Sequence, residues 1–246
     1  VSTAFGNVVQ LVGAFYYLKI MSACKTMDER IFYMNMCIKE RLSKRELERQ
    51  IDSGYYERYM LSQNPQSLAL ETAKKATGNI FLDNYVLDFL DVPDPMSEHD
   101  LQKSIIRNLK DFILEIGKDF TFVGEEYRVQ VGNHDFFIDL LFYHRGLSCL
   151  VAFELKIGEF KPEYVGQINL YLEALDREVK KENENPSVGI ILCASKDDEV
   201  VEFALSRSLS PTMVAEYNLK LIDKKLLQKK LKEYIELAKL TEDENA

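Results

Sequence analysis

The sequence predicts an α/β protein in which a mixed sheet, flanked by helices, follows a helical N-terminal domain. Helical signals run through almost all of the first 95 residues. From Ser97 onward the pattern becomes helix, three strands, helix and strand, and two of these strands are joined as a hairpin before a helical crossover. Antiparallel strands followed by such a crossover are typical of a mixed sheet covered by helices. With 246 residues, the chain is long enough for one large core and a smaller appended domain.

The helical N-terminal domain is predicted to span residues 1–95. Ser43 is followed three residues later by Glu46, a capping box that begins a helix, and Gly54 is expected to end this helix. The apolar stretch 80–90 is assigned to the same helical unit. Directly beyond it come two prolines and two acids within five residues, which neither a helix nor a central strand accepts. The domain boundary is therefore placed there.

The second domain is predicted over residues 96–246 and contains the sheet. Its elements are a helix capped by Ser97 that runs to Gly117, strands at 127–131, 136–143 and 149–155, a helix at 162–179, a strand at 188–193, a helix near 199–206, a strand near 213–217 and a last helix at 224–240. The last helix carries five apolar residues, Leu226, Leu227, Leu231, Ile235 and Leu240. They predict that this helix docks on the body of the protein or on a second subunit, so a homo-oligomer stays open.

Charge and cysteine content narrow the class of protein. The formal net charge is -9, from 31 Lys and Arg against 40 Asp and Glu, which argues against a uniformly basic surface that coats nucleic acid. The four cysteines form no CxxC pair, as expected for reduced thiols in the cytoplasm. The apolar run 8–18 is too short for a membrane helix and lacks the features of a signal peptide, so no membrane partner is expected. The chain begins at Val1 rather than Met, which is consistent with a truncated N-terminal domain.

Two acidic residues are predicted to face each other across the hairpin. In a hairpin, the position numbers of every opposed pair add up to the same value. Asp139 and Glu154 give the same total as Gly146 and Leu147, which are predicted to form a two-residue loop. Glycine at the first loop position suits a type II′ turn. On this register the Cβ atoms of the two acids lie about 4.5 to 5.5 Å apart. The carboxylates then repel each other unless a positive group lies between them.

Lys156 supplies a positive charge on the same face, because it lies two residues beyond Glu154. The apolar neighbours on that face are Phe137, Leu141 and Ala152. The opposite face is apolar throughout and is predicted to be core, through Ile138, Leu140, Phe142, Val151, Phe153 and Leu155. Charged groups among buried neighbours are costly without a metal ion or a substrate. The alternative is a structural salt bridge on a solvated sheet face.

The chemistry that best fits these charged residues is Mg²⁺-assisted hydrolysis, with Mn²⁺ as a second suitable ion. Asp139, Glu154 and the backbone carbonyl of Leu155 would bind the ion, and waters and a phosphate oxygen would complete its octahedral shell. The ion would polarise the phosphoryl group and generate a hydroxide-like nucleophile. Lys156 would orient this nucleophile or stabilise developing charge. The two nearby carboxylates oppose the strongly lowered pKa that a lysine base needs.

The order of these residues resembles a known family. Asp139, then Glu154-Leu155-Lys156, then Gln167 with Tyr171 four positions later is similar to the D…ExK…QxxxY form of the PD-(D/E)XK nuclease superfamily. The stretches FIDLLFYHR, from Phe137, and ELKIGEFKPEYVGQ look more narrowly like the YhcG-like bacterial proteins. The resemblance implies a restriction-endonuclease-like fold with an αβββαβ core, and an N-terminal domain that binds DNA.

The resemblance also implies roles for individual residues. Asp139 and Glu154 would be metal ligands, and Lys156 would be the catalytic lysine. Gln167 and Tyr171 would contact the lysine, the water or the DNA backbone from one helical face. Taken alone, a residue such as Gln167 is more often a surface amide, and one such as Tyr171 is more often an aromatic at the edge of the core. The implied activity is metal-dependent hydrolysis of DNA phosphodiester bonds, by an endo- or exodeoxyribonuclease, and RNA is not excluded because the metal chemistry is the same.

One position departs from the resemblance. Related sequences commonly carry a Glu near Leu101, where this chain has Gln102. Either Glu98 or Asp100 replaces this acid, or a second metal site is absent. Acids at these two positions are also ordinary at the start of a helix. The departure supports an alternative function, a catalytically inactive module of the same fold that binds nucleic acid or assembles with a partner.

Overall fold

The computed structural model describes residues 14–63, 80–208 and 210–244. In chain order its elements are α1 (Ala14–Ala23), α2 (Met27–Glu40), α3 (Lys44–Asp52), α4 (Tyr55–Ser62), β1 (Asn84–Val86), α5 (Glu98–Arg107), α6 (Leu109–Ile116), β2 (Phe120–Val131), β3 (His134–His144), β4 (Cys149–Leu155), α7 (Glu163–Glu178), β5 (Val188–Cys193), α8 (Asp198–Leu205), β6 (Thr212–Asn218) and α9 (Lys224–Glu244). None of the helices in the described parts of the chain combines the length and the apolar character that a membrane span needs. The four cysteines are buried free thiols.

The chain divides into two compact units. One is formed by residues 1–61 together with 221–246, and the other by residues 62–220. The boundary predicted after residue 95 therefore lies inside the second unit. The last helix belongs with the N-terminal helices rather than with the sheet.

The first unit is helical in its described part. Its α3 begins at the predicted capping box, because the N–H of Ser43 donates to Glu46 Oε2 at 2.7 Å and the N–H of Glu46 donates to Ser43 Oγ at 3.4 Å. Gly54 follows the helix with φ +65, in the left-handed region that favours glycine. The core of this unit is formed by Ile20, Cys24, Tyr33, Met34, Cys37, Leu42, Leu47 and Ile51.

Helix α9 packs on the helices of the first unit through two of its five apolar residues. Leu227 and Leu231 are buried, and a Cβ on Gly54 would come within 2.7 Å of Leu227 Cδ1. Leu226 and Ile235 are exposed, and the side chain of Leu240 lies outside the described part. Leu227 and Leu231 thus pack within the chain, on the N-terminal helices rather than on the sheet-containing body to which this helix was assigned, and docking on a second subunit stays a prediction.

The second unit is built on a six-stranded sheet in the order β1-β6-β5-β4-β3-β2. Strands β1, β6, β5 and β4 run parallel to one another, and β3 and β2 extend the sheet as antiparallel strands. Helices α5 and α6 precede the three strands β2 to β4, and α7 crosses over from β4 to β5. This is the predicted mixed sheet with an αβββαβ core and flanking helices.

One predicted helix is two helices. The continuous helix expected from Ser97 to Gly117 is interrupted at Asn108, which has φ -111 and ψ 30. Its side-chain Nδ2 donates to the carbonyl oxygen of Ser104 at 2.9 Å. Asparagine competes for backbone hydrogen bonds in this way, so the apolar spacing alone did not reveal the interruption.

The stretch 80–90 was predicted to belong to the helical unit, and this was wrong. It contains β1, which pairs in parallel with β6 from Asn84–Glu216 to Val86–Asn218. The N–H of Val86 also donates to Glu115 Oε1 at 2.7 Å. Three residues are too few to leave an alternating pattern in the sequence.

Helices cover both faces of the sheet. On one face α7 lies very close to β5, because a Cβ on Gly189 would come within 2.6 Å of Ile168 Cγ1. On the other face the ring of Phe112 on α6 lies 5.9 Å from Phe142 and 5.8 Å from Phe153, measured between ring centroids. The six hairpin residues predicted to be core are all fully buried.

The predicted register between β3 and β4 is confirmed, and the predicted turn is wrong. The pairs run from His144–Cys149 to Leu140–Phe153, with the sum expected for Asp139 and Glu154. The loop, however, has four residues, 145–148, and Ser148 rather than glycine adopts the positive φ, at +50. A four-residue loop with the same centre gives the same register.

Phe137 does not belong to the apolar surround predicted for the acidic residues. Its side chain is 52% exposed, whereas Leu141 and Ala152 on the same face are fully buried. Among the described residues, β3 pairs with β4 only from Leu140 to His144, so Phe137 has a paired residue on β2 and none on β4.

Candidate active site

Asp139, Glu154 and Lys156 lie together at the point where the interior strands β3 and β4 stop pairing. The last pair between β3 and β4 is Leu140–Phe153, so Asp139 and Glu154 occupy the next step of the same register. Only 2% of Glu154 and 8% of Lys156 is exposed. The alternative of a salt bridge on a solvated sheet face does not fit this burial.

Two hydrogen bonds fix Asp139. Its carboxylate Oδ2 accepts from the N–H of Leu155 at 2.7 Å, and its main-chain oxygen accepts from Gln102 Nε2 at 2.8 Å. Burial raises the pKa of the Asp139 carboxyl, and the hydrogen bond from Leu155 and the charge of Lys156 oppose this rise. The Asp139 carboxylate is therefore fixed in position, and its negative charge is energetically unfavourable without a nearby cation.

Lys156 is held between two carboxylates. Its Nζ donates to Glu154 Oε1 at 2.8 Å and to Glu98 Oε2 at 3.2 Å, and it lies 5.1 Å from the centre of the Tyr164 ring. Burial alone would lower the pKa of Lys156, but the hydrogen bond and charge of Glu154, followed by the charge of Glu98, raise it overall. Lys156 is thus a cationic donor rather than a base.

Glu154 combines burial with an unused acceptor atom. Burial, followed by the negative charge of Asp139, raises its pKa to about 7, although Lys156 pulls in the opposite direction. Among the described residues, no group donates a hydrogen bond to Glu154 Oε2. A buried carboxylate oxygen without a partner is the kind of atom that a bound cation would satisfy.

The carboxylates do not form a ready cluster of metal ligands. In the part of the chain that the structure describes, no group of three or more His, Cys, Asp or Glu side chains is arranged to hold a metal. Asp139 and Glu154 still fit a divalent ion as a pair, because they are oxygen donors with an excess of negative charge over the single ammonium. The remaining ligands would have to come from backbone oxygen, water and substrate.

Gln167 and Tyr171 lie one turn apart on α7, as predicted. Gln167 Nε2 donates to Tyr171 Oη at 2.8 Å. Burial raises the pKa of Tyr171, and the charges of Glu154 and Asp139 raise it further. The phenol is therefore within electrostatic reach of the acidic pair, and its own O–H is kept as a donor.

The acids at the start of α5 differ in what they contact. Asp100 accepts from the N–H of Ser97 at 3.0 Å and completes a capping box, which is the ordinary role of an acid at a helix start. Glu98 contacts Lys156 instead, and Gln102, one turn later, contacts Asp139. Helix α5 thus reaches the site through two side chains on one face.

The position of Glu126 beside Asp139 was not predicted from the sequence. The pairs Glu125–Leu140 and Tyr127–Ile138 flank it and place it opposite Asp139 on β2, and its φ of +45 is unusual for a residue other than glycine. This position could have been predicted from the two-residue loop Gly132–Asn133, because a hairpin centred on that loop pairs β2 with β3 in the observed register. No sequence pattern announces the positive φ.

The family comparisons agree with the residue pattern. The model of the "YhcG PDDEXK nuclease domain" matches residues 78–232, and that of the "DUF1016 N-terminal domain" matches residues 6–58. "Putative nuclease YhcG" of Escherichia coli (strain K12) is 36% identical over 219 residues, which cover 87% of this chain and 58% of that protein. The chain therefore spans less than two thirds of the length of this relative.

Two solved structures are similar at low identity. A repair endonuclease from Pyrococcus abyssi is 17% identical with a TM-score of 0.35, over 51% of this chain and 48% of that chain. The EndoMS–dsDNA2 complex is 19% identical with a TM-score of 0.34, over 49% of this chain and 43% of that chain. A likeness at this level says nothing about substrate.

Proposed function

We propose, from the premise that this chain belongs to the YhcG PDDEXK nuclease family, that it is a metal-dependent nuclease that hydrolyses DNA phosphodiester bonds. The family model matches more than half of the chain, and its nuclease domain contains all the predicted catalytic residues. Because the chain spans 58% of the length of its relative, the metal, the substrate and the mode of cleavage are argued from this chain's own residues.

The observation that carries the proposal is the buried pair of Glu154 and Lys156 beside the partly buried Asp139. The Lys156 ammonium is shared by Glu154 and Glu98. In the described part of the chain it forms no ion pair with Asp139, and Glu154 Oε2 has no donor. An uncompensated buried charge is destabilising, so an arrangement of this kind is retained where function requires it. A cation next to the unpartnered oxygen would compensate the charge.

The cation proposed is Mg²⁺, and Mn²⁺ would suit the same oxygen ligands. Asp139, Glu154 and the backbone carbonyl of Leu155 would hold it. When bound, such an ion supplies Lewis-acid polarisation of a phosphate oxygen and a water molecule of lowered pKa.

The other residues of the site bind and orient. Lys156, positively charged and fixed by Glu154 and Glu98, holds the attacking water or stabilises the charge that develops on the phosphate. Tyr171 accepts a hydrogen bond from Gln167, and its own O–H would donate to the water or to the DNA backbone. The N-terminal helices α1 to α4 would place the DNA.

The test is cleavage of labelled duplex DNA, single-stranded DNA and RNA in Mg²⁺, Mn²⁺ or EDTA. Asp139→Asn and Glu154→Gln keep the shape of the side chains, and each is expected to lower the cleavage rate by about 1,000-fold, because a catalytic metal ion contributes several kcal/mol. Asp135→Asn changes an exposed acid on the same strand and is expected to cleave like the wild type. Undiminished cleavage by Asp139→Asn would overturn the assignment, and cleavage of RNA alone would change the substrate.

A second candidate is a module of the same fold that binds nucleic acid or assembles with a partner without turnover. It is favoured by Gln102, an amide at the position where the resemblance to the family leads us to expect an acid. Binding of DNA by the wild type without cleavage in Mg²⁺ or Mn²⁺ would select this candidate.

A further inference from the structure

The side chain of Gln102 is buried on α5 and points at the main chain of Asp139. It is 5% exposed, and its Nε2 lies 2.8 Å from the Asp139 carbonyl oxygen. A buried amide must satisfy its hydrogen-bonding groups, so this contact restrains both partners.

The contact lies where the strands stop pairing. Beyond Leu140–Phe153 the N–H of Leu155 is taken by the Asp139 carboxylate rather than by a strand carbonyl. Asp139 is therefore held twice, at its side chain by Leu155 and at its main chain by Gln102. The hydrogen bond from Gln102 secures the backbone from which the carboxylate extends.

We propose that Gln102 is a positioning residue, whose amide N–H fixes the main chain of Asp139 and thereby the direction in which its carboxylate meets a divalent cation. This inference rests on the proposed function, because it takes Asp139 as a cation ligand. It also turns a residue that suggested a lost activity into part of the site.

Only a hydrogen-bond donor at position 102 can bind the main-chain oxygen of Asp139. A glutamate has the shape of glutamine, but its ionised carboxylate only accepts hydrogen bonds. At position 102 it would face the carbonyl oxygen of Asp139 and add an acid to a site that already holds Asp139, Glu154 and Glu98. In this chain the amide supplies the donor that the Asp139 carbonyl oxygen uses, and an ionised acid in its place would loosen Asp139.

Helix α5 restrains a second residue of the site, Lys156, as well as Asp139. Glu98 lies four residues before Gln102 on the same helical face and contacts Lys156 at 3.2 Å. A single rigid element thus holds the main chain of one proposed metal ligand and the side chain of the catalytic lysine. Helices are suited to this task because their side chains project from a fixed backbone.

The test compares Gln102→Met, Gln102→Glu and the control Lys103→Met, an exposed neighbour on the same helix. Methionine keeps the volume and burial of glutamine but has no donor. The first readout is amide exchange at Leu155, relative to Val151 and Ile190 in the centre of the sheet, so that global changes cancel. The second readout is the Mn²⁺ dissociation constant by titration calorimetry, with DNA cleavage as the third.

Both Gln102 variants are expected to speed relative exchange at Leu155 by about tenfold, the equivalent of one hydrogen bond, and to weaken Mn²⁺ binding by about tenfold. Lys103→Met should behave like the wild type. Unchanged relative exchange, or faster exchange with unchanged Mn²⁺ affinity, would overturn the proposal, and so would tighter Mn²⁺ binding by Gln102→Glu. If the wild type binds no Mn²⁺, the proposed function fails, whereas the exchange ratio still decides whether Gln102 holds Asp139.

Discussion

At Glu154 the cost of burial opposes the need for a charge. Its pKa of about 7 means that a proton competes with a cation for this carboxylate near neutral pH. The direction of the pH dependence follows from this raised pKa. The carboxylate is ionised and ready for a cation above pH 7, and protonation removes this ligand as the pH falls below 7.

We expect the affinity for Mn²⁺ to fall by about tenfold between pH 8 and pH 6, because one ligand with a pKa near 7 must lose a proton. Titration calorimetry at the two values measures the change, and buffers of different ionisation enthalpy report the released proton. Glu154→Gln should bind Mn²⁺ more weakly and lose this part of the pH dependence. Equal wild-type affinity at pH 6 and pH 8 would contradict the role given to Glu154.

Glu98 and Asp100 allow a matched comparison at the residue scale. Glu98→Gln removes one of the two carboxylates that hold Lys156, so we expect kcat to fall by about tenfold while KM for DNA changes little. Its half-exposed ion pair contributes less than about 1 kcal/mol to the free energy of unfolding.

Asp100→Asn is the control for this variant, because it disturbs the capping box of the same helix without touching the site. It should lower the Tm and leave kcat unchanged. Cleavage kinetics and thermal unfolding of the two variants test the distinction, and equal kcat in Glu98→Gln and wild type would rule out a role for Glu98.

The sequence was sufficient to bring Asp139, Glu154 and Lys156 together, because the alternation of hairpin residues and one register sum fix a shared face. It did not reveal the hydrogen bond from Gln102 or the contact of Glu98 with Lys156. Both depend on where α5 lies against the sheet, and helix periodicity does not specify this placement. Asp100 and Glu98 look alike in the sequence for the same reason.

At the scale of elements, most strands and helices follow from apolar spacing, and the exceptions have local causes. Asn108 divides the helix expected after Ser97 through a hydrogen bond to its own backbone neighbourhood. The turn 145–148 differs from the expected two-residue loop, yet the register survives because both loops have the same centre. Register is thus a more robust prediction than turn type.

Helix α9 offers a test of packing, since neighbouring leucines differ in burial. Leu227→Ala should lower the free energy of unfolding by about 2 to 4 kcal/mol, because it leaves a cavity against Gly54. Leu226→Ala, on the exposed side, should change it by no more than about 0.5 kcal/mol. Urea denaturation of both variants measures the difference, and equal losses would mean that α9 does not dock through Leu227.

At the scale of the whole molecule, the net charge of -9 opposes the approach of a polyanion. A site with an excess of carboxylates adds to this repulsion. Divalent cations would relieve it at the point where the phosphate must bind, so DNA affinity and cation binding should be linked.

We expect the affinity for duplex DNA to rise by at least about tenfold when Ca²⁺ replaces EDTA, since Ca²⁺ accepts the same oxygen ligands. Fluorescence anisotropy of a labelled duplex measures the change. In Asp139→Asn most of the gain should disappear, and in Asp135→Asn it should persist. Equal wild-type affinity in Ca²⁺ and EDTA would show that the cation takes no part in DNA binding.

The order of helices and strands was enough to predict the αβββαβ core, because each of those elements leaves its own periodic pattern. The division of the chain into units was not accessible in the same way. It depends on β1 pairing with β6 and on α9 packing with helices from the other end of the chain. Such distant pairings leave no local trace.

The pairing of β1 with β6 has a practical consequence for dissecting the protein. A fragment that starts at residue 96 would lack Asn84–Val86 and leave β6 as a bare edge with unpaired N–H and C=O groups. Bare edges recruit other strands, so such a fragment would tend to self-associate and precipitate during expression. A fragment that starts upstream of Asn84 keeps β1 paired with β6. The choice of the first residue therefore decides whether the nuclease-like part can be produced on its own without aggregating.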